Sequence, residues 1–287
     1  MTANPFDIDH GELSWCPGCG DYAILDALKK ALFGLGLSPQ QVVLVSGIGQ
    51  AAKMPHYLRS NFFNGLHGRA LSAATGIKAA NPELTVIAVG GDGDMYGEGG
   101  NHFTHTIRRN PDLTVLVCDN MVYGLTKGQA SPTSPRGFVT PMQRKGVRAE
   151  PFNPLAAALV QGATFIARAF AGDVERTTAI MQRAIRHRGF SLVDIFQPCV
   201  TFNKVNTYAW FKENTRMLEP DRKADDFREA LDLALSPAPY PLGVLYEAEG
   251  PETFEKGLGA FTDDSRPLFM REPDLGTVNA WFEGLLR

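Results

Sequence analysis

Leu84-Thr85-Val86-Ile87-Ala88-Val89-Gly90-Gly91-Asp92-Gly93-Asp94 decides the fold. Residues 84–90 are apolar almost throughout and do not alternate with polar ones, the pattern of a strand buried on both faces of a parallel sheet. The run ends in a glycine-rich acidic turn, and ligands of parallel sheets gather beyond the carboxyl ends of the strands. Glycines there let backbone N–H groups approach an anion, and Asp92 offers a hard oxygen to a hard cation. Residues 42–46, 113–119 and 190–196 repeat the short apolar pattern. Between these runs, 70–80, 97–109 and 173–188 read as helices. Residues 21–33 place Ile24, Leu25, Leu28 and Leu32 on one helical face, with Asp21 as cap and Gly34 and Gly36 as stops. Strand alternating with helix predicts the α/β class: a mostly parallel sheet covered by helices on both faces.

Composition narrows the function. The 287 residues are 44% hydrophobic and 21% charged, and 28 basic against 31 acidic residues give a net charge of −3. With a pI of about 6.1, the chain lacks the broad positive field that attracts nucleic acid. The charge-free stretch 152–167 is broken by Asn153, Pro154, Gln161 and Gly162 and falls short of the roughly 20 apolar residues a membrane span needs. Residues 1–10 show no secretory signal, so the expected compartment is the cytoplasm. No internal repeat is present. Five prolines within 129–154 predict a long surface loop. The expected division is a cofactor domain over 1–213 and a carboxy-terminal arm over 214–287. That arm holds one clear strand at 242–246 and packs on the core or on a partner.

A second strand ends at Asp119-Asn120, and Asn120 follows Asp92 by 28 positions. One helix and one strand fit that interval, and a right-handed crossover brings both residues to the same sheet edge. A carboxylate and an amide oxygen there can share one Mg²⁺, which would neutralise a bound diphosphate. Gly91-Asp92-Gly93 alone is also readable as a plain turn. A dinucleotide site would need a glycine triad opening the first helix and an acid about 20 residues on; the first strand gives Ser46-Gly47-Ile48-Gly49-Gln50 instead.

Of four cysteines, Cys16 and Cys19 form a tight pair in Trp15-Cys16-Pro17-Gly18-Cys19. The string imitates a thioredoxin site, but residues 1–14 offer no apolar run for the strand such a fold requires. Cys199, just past a predicted strand, can join the pair to give three thiolates for zinc or for an iron–sulfur cluster. Cys118 lies inside an apolar strand and reads as a core thiol. His102 and His105, three apart, fit a structural or phosphate-side role better than a metal pair.

Together, Trp15 to Gly20, Ser46 to Gly49, Gly65-Leu66-His67-Gly68-Arg69, Gly90 to Asp94, Asp119-Asn120, Tyr123 to Thr133 and Gln197-Pro198-Cys199 resemble the beta subunit of 2-oxoacid:ferredoxin oxidoreductases, most of all the 2-oxoglutarate type. The resemblance spans 15 to about 210. It implies a thiamine diphosphate-binding fold and an alpha subunit partner in a dimer of alpha-beta pairs. It also implies Mg²⁺ and a [4Fe-4S] cluster. The activity implied is interconversion of 2-oxoglutarate and coenzyme A with succinyl-CoA and CO₂, electrons passing singly through the cluster to ferredoxin; reversed, the steps fix CO₂. Asp92, Asn120 and the Val122 carbonyl match the Mg²⁺ ligands. Ile48, Gly49, His67, Gly68, Gly91, Gly93, Asp94, Gly124, Leu125 and Thr126 match positions around the cofactor. His67 and Lys53 match catalytic positions, Lys53 near the substrate carboxylate. Cys16, Cys19 and Cys199 match cluster ligands. Relatives carry a further cysteine where this chain has Gln50 or Ser60, so a non-cysteine ligand, a three-iron cluster or a degenerate site follows. The glutamate that assists ylide formation has no match, consistent with its lying on the alpha subunit. The competing readings are a non-oxidative thiamine diphosphate decarboxylase or synthase and a zinc-stabilised binding subunit.

Overall fold

The computed structural model describes residues 4–8 and 13–286. Parts of the 1–14 stretch, read above for a leader and for a missing strand, and Arg287 of the arm lie outside the described residues. Among the described residues, eight strands form one sheet in the order β2-β1-β3-β4-β6-β5-β8-β7. The strands are β1 Val42–Ser46, β2 Asn61–Asn64, β3 Thr85–Gly91, β4 Leu113–Asp119, β5 Phe165–Phe170, β6 Phe190–Phe196, β7 Thr215–Met217 and β8 Tyr240–Glu247. The first six run parallel; β8 joins β5 antiparallel and β7 lies parallel to β8.

Side chains alternate across each strand, and here both faces are apolar. Val42, Leu44, Ile87, Val89, Leu116 and Cys118 pack on one side with α1 (Asp21–Gly34) and α5 (Val174–Arg186). Val43, Val45, Val86, Ala88, Val115 and Val117 face the other. That side is covered by α2 (Ala70–Ala80), α3 (Gly100–Arg109), α4 (Pro154–Val160) and α7 (Phe227–Leu235). The remaining helices are α6 (Tyr208–Glu213), α8 (Phe254–Gly257) and α9 (Leu275–Leu285). Full burial of both faces explains why the strand runs carry no period-two signal. The fold is the α/β class expected, a largely parallel sheet between two helical layers.

Three departures matter. Residues 97–109 are not one helix: a π-type turn spans Gly93–Glu98 and α3 begins only at Gly100, because Gly97, Gly99 and Gly100 withhold the side chains that would favour a regular start. Asp173 caps α5 through the Arg176 amide rather than entering it. The unpredicted strand β5 brings Arg168 into the sheet. Beyond residue 213 the chain adds β7 and β8 to the sheet, with Leu242 and Leu245 buried, whereas α9 buries none of its residues. No helix among the described residues is long and apolar enough to cross a membrane.

Candidate active site

The pairing register aligns the carboxyl ends of β1, β3, β4 and β6: Ser46 lies opposite Val89, Gly91 opposite Cys118, and Asp119 opposite Phe196. The loops leaving β1, β3 and β4 therefore meet at one edge. They enclose an open cleft. Ile48, Gly49, His67, Gly91, Asp92, Gly93, Asp94, Asn120, Val122, Gly124, Leu125 and Thr126 all line it. Gly68 and Lys53 do not. The Gly68 amide instead donates to Asp94 Oδ1 at 2.7 Å. The Lys53 amine donates to the Ser14 carbonyl at 3.1 Å.

Asp94 joins the loops. Its Oδ1 also accepts from the Ile48 amide at 3.2 Å, so one carboxylate fixes the loop after β1 and the 65–68 turn against the loop after β3. Two glycines permit this. A Cβ at Gly47 would collide with the Asp94 carboxylate, and Gly68, at φ +64°, would drive one into the Glu98 backbone. Burial raises the Asp94 carboxyl above its usual range, and its Oδ2 is buried without a partner.

Asp92 is the buried anion of the cleft, 1% exposed. Thr133 Oγ lies 2.7 Å from both Asp92 Oδ2 and Asp119 Oδ1. One hydroxyl has one proton to donate, so the two carboxyls share it. Burial first, and then the charges of Asp194 and Asp92, push Asp119 well above the carboxylate range. Burial raises Asp92 to about 6, opposed by hydrogen bonds from Ser131 and Thr133. Asn120 Oδ1 accepts from the Val122 amide at 3.0 Å, and the Asn120 carbonyl accepts from Asn203 at 3.1 Å. The amide oxygen keeps its second lone pair for a cation. The π-type turn is fixed from beneath: the Tyr96 hydroxyl donates to Asp194 at 2.7 Å, and Arg168 approaches the same carboxylate at 3.8 Å.

A buried carboxylate beside an amide oxygen, with no cation yet paired to it, suits a Mg²⁺ that carries a diphosphate. The donor set fits. Sequence reasoning assigned no role to Thr133, Ser131 or Asp119. The hydroxyls stood inside the quoted Tyr123 to Thr133 motif, but the spacing does not reveal that the loop folds back 41 positions onto Asp92. Gln50, Glu98 and Tyr123 also line the cleft. His102 and His105 stand outside it, facing Arg69 and Arg108.

Cys16, Cys19 and Cys199 come together in a second, adjacent pocket of about 390 Å³. Gln50, Asn120 and Gly124 form walls of both pockets. Cys16 is exposed, the other two partly buried. Burial and then Asp21 push the Cys19 thiol up. Cys118 is fully buried in β4 and lines neither pocket. Among the described residues, no three His, Cys, Asp or Glu side chains converge closely enough to clasp a single metal ion. That is a poor arrangement for tetrahedral zinc.

Residues 42–195 match the family described as thiamine pyrophosphate enzyme, C-terminal TPP binding domain, which places fold and cleft in the class of thiamine diphosphate-binding domains. Residues 199–263 match the C-terminal family of the pyruvate ferredoxin oxidoreductase beta subunit. The chain is 44% identical to the 2-oxoacid:ferredoxin oxidoreductase subunit beta of Saccharolobus solfataricus, over 94% of this chain and 92% of that one. It is 46% identical to the 2-oxoglutarate oxidoreductase subunit KorB of Mycobacterium tuberculosis, over 70% of this chain and 54% of that one. The solved 2-oxoglutarate:ferredoxin oxidoreductase from Magnetococcus marinus, with 2-oxoglutarate, coenzyme A and succinyl-CoA bound, superposes at a TM-score of 0.89. It shares 35% identity and covers 98% of this chain and 96% of that one. The chain belongs to the beta subunits of the thiamine diphosphate-dependent 2-oxoacid:ferredoxin oxidoreductases.

Proposed function

We propose that this subunit, paired with an alpha subunit, converts 2-oxoglutarate and coenzyme A to succinyl-CoA and CO₂ and delivers the electrons to ferredoxin. The observation that carries the reading is the shared wall. A three-thiol pocket backs onto the cofactor cleft through Gln50, Asn120 and Gly124, so a cluster held by those thiols would lie within one residue layer of the cofactor. A non-oxidative decarboxylase has no use for thiols in that place. Substrate choice is supported by the 2-oxoglutarate-specific names among the relatives.

Bound thiamine diphosphate supplies a nucleophilic carbon able to take up the electrons released when a 2-oxoacid loses CO₂. Asp92, Asn120 and the Val122 carbonyl are the proposed Mg²⁺ ligands, and the Thr133 hydroxyl, hydrogen-bonded to Asp92 Oδ2, would hold that carboxylate in place for the metal. Gly49, Gly91 and Gly93 line the cleft, and their backbone amides would be available to a bound diphosphate. His67, exposed at the mouth, is placed to hydrogen-bond a charged group entering the cleft. Lys53 serves the substrate carboxylate only after its amine leaves the Ser14 carbonyl. Cys16, Cys19 and Cys199 are the proposed iron ligands.

The test is the assembled complex purified without air. Iron with sulfide, magnesium, and reduction of a low-potential acceptor dependent on both 2-oxoglutarate and coenzyme A are expected. Decarboxylation without acceptor reduction would replace this reading by the non-oxidative one, and zinc in place of iron by the binding subunit. The purified single chain is expected to be inactive.

A further inference from the structure

Arg168 is the one charged side chain of β5 and is 6% exposed. Its Nε stops 3.8 Å from Asp194 Oδ1 on the neighbouring strand β6, beyond hydrogen-bond reach. Arg168 Nε and Nη1 and Asp194 Oδ1 are all buried without a hydrogen-bond partner. The guanidinium lies instead over the rings of Phe196 and Tyr240, 4.9 and 5.6 Å from their centroids. A buried ion pair left this open is a poor device for stability, because well-packed apolar side chains in its place are often neutral or better. Its geometry gives it another use. Asp194 Oδ2 accepts from the Tyr96 hydroxyl at 2.7 Å, and Tyr96 belongs to the π-type turn Gly93–Glu98.

Such turns are rare and occur mostly at functional sites. This one is closed by the Gly99 amide, which donates to the Asp94 carbonyl at 2.8 Å. Gly93, Asp94 and Glu98 line the cofactor cleft, and Asp94 carries the Ile48 and Gly68 loops with it. Tyr123 covers the turn from the cleft side. Its ring occupies the space a side chain at Gly93 would need, and its hydroxyl the space at Gly97; that hydroxyl donates to the Gly93 carbonyl at 3.3 Å. Among the described residues, the Tyr96 hydroxyl makes the turn's one side-chain hydrogen bond to a strand of the sheet. Phe103 and Phe152 pack on the Tyr96 ring, contacts that a phenylalanine would keep.

We propose that Tyr96 is a positioning residue for the diphosphate site: its hydroxyl, received by Asp194, pins the π-type turn where Gly93 and Asp94 meet the cofactor, and Arg168 offsets the charge of the acceptor. Calorimetry of magnesium thiamine diphosphate binding to the assembled complex, beside thermal melting, tests it. Tyr96→Phe is expected to weaken binding about 10-fold, the scale for a residue that orients a ligand. Arg168→Met combined with Asp194→Leu removes both charges and fills their space. This pair is expected to weaken binding as much, with a Tm equal to or above that of the wild type. Adding Tyr96→Phe to it should cause no further loss, since all three act through one contact. A network that only supports the fold gives the reverse, a lower Tm with wild-type affinity in the paired variant. That result, unchanged affinity in Tyr96→Phe, or additive losses overturns the proposal. Should the paired variant fail to assemble, Asp194→Asn decides. Its amide oxygen still accepts from Tyr96, so near wild-type affinity is expected, and a loss equal to that of Tyr96→Phe overturns the proposal. Neither readout depends on the 2-oxoacid or the electron acceptor proposed above.

Discussion

The two edges of the same sheet handle buried charge in opposite ways. At the amino ends of the strands, Lys78 is 4% exposed and fully engaged. Its amine meets Asp112 at 3.1 Å and the carbonyls of Pro82 and Leu84 at 3.0 Å each, while Arg188 approaches Asp112 from outside at 3.0 Å. At the carboxyl ends, Asp21, Asp92, Asp94 and Asp119 are all buried, and burial raises every one of them. The satisfied edge needs nothing further to be stable. The other concentrates carboxyls with hydroxyls, amides and thiols, a costly arrangement that a cation-bearing cofactor would relieve.

If that contrast is right, mutations at the two edges must separate binding from stability. Asp92→Ala is expected to abolish magnesium-dependent binding of thiamine diphosphate to the assembled complex, with little loss of fold, since it removes an uncompensated buried anion along with the metal ligand. Asn120→Ala should act the same way. Retained affinity in calorimetry would remove the metal assignment. Lys78→Met should do the reverse. Asp112 keeps Arg188 and the Gly189 amide, but the Pro82 and Leu84 carbonyls lose their donor, so a loss of about 1–3 kcal/mol of stability is expected, read by denaturant melting, with cofactor affinity unchanged. A cofactor defect there would show that the edges are not independent.

The carboxyl edge can be examined more finely through the hydroxyl that Asp92 and Asp119 share. Burial pushes the Asp92 carboxyl up to about 6, so protons compete with Mg²⁺ at lower pH. Affinity for the magnesium cofactor is expected to be full above about 7 and to fall roughly tenfold per pH unit below 6. Thr133→Val deletes a hydrogen bond that lowers Asp92; the midpoint should move upward and affinity at neutral pH weaken about 10-fold, as for other residues that orient a ligand. A pH profile identical to the wild type would mean that Thr133 does not hold Asp92.

The same contrast explains how much could be read before the structure. Strands β1, β3, β4 and β6 were legible because burial on both faces leaves a continuous apolar run. Strand β5 was not, since Arg168 interrupts it, and that arginine is tolerated only by stacking its guanidinium 4.9 Å from the Phe196 ring beside Asp194. Strand β2, Asn61–Asn64, is four residues long and exposed along its length, so it carries no burial signal. In the site, backbone-dependent motifs transferred well: Gly91, Asp92, Gly93 and Asn120 reached the cleft. Lys53 and Gly68 did not line it, because a side chain's direction and a glycine's second duty toward Asp94 depend on loop packing. Asp21 was read only as a helix cap, its likeness to any first-turn acid hiding its place beside Cys19.

The smallest expected effect concerns Cys118, which sits at the same height of the sheet as the site yet belongs to the core. It is fully buried among the residues under α1, and burial, followed by the charge of Asp21, raises its thiol well above the usual range. A thiol held protonated in that way fills volume and donates weakly to Asp21; it is no iron ligand. Cys118→Ala should therefore cost about 1 kcal/mol, the scale of a small core deletion, seen as a fall in Tm of about 2–4 °C, with iron content and cofactor binding intact. Cys199→Ala should do the opposite, keeping stability and thiamine diphosphate affinity while losing most of the cluster absorbance. The pair divides the core from the site at a single sheet edge: iron lost from Cys118→Ala and kept in Cys199→Ala would move the cluster to the other side of β4.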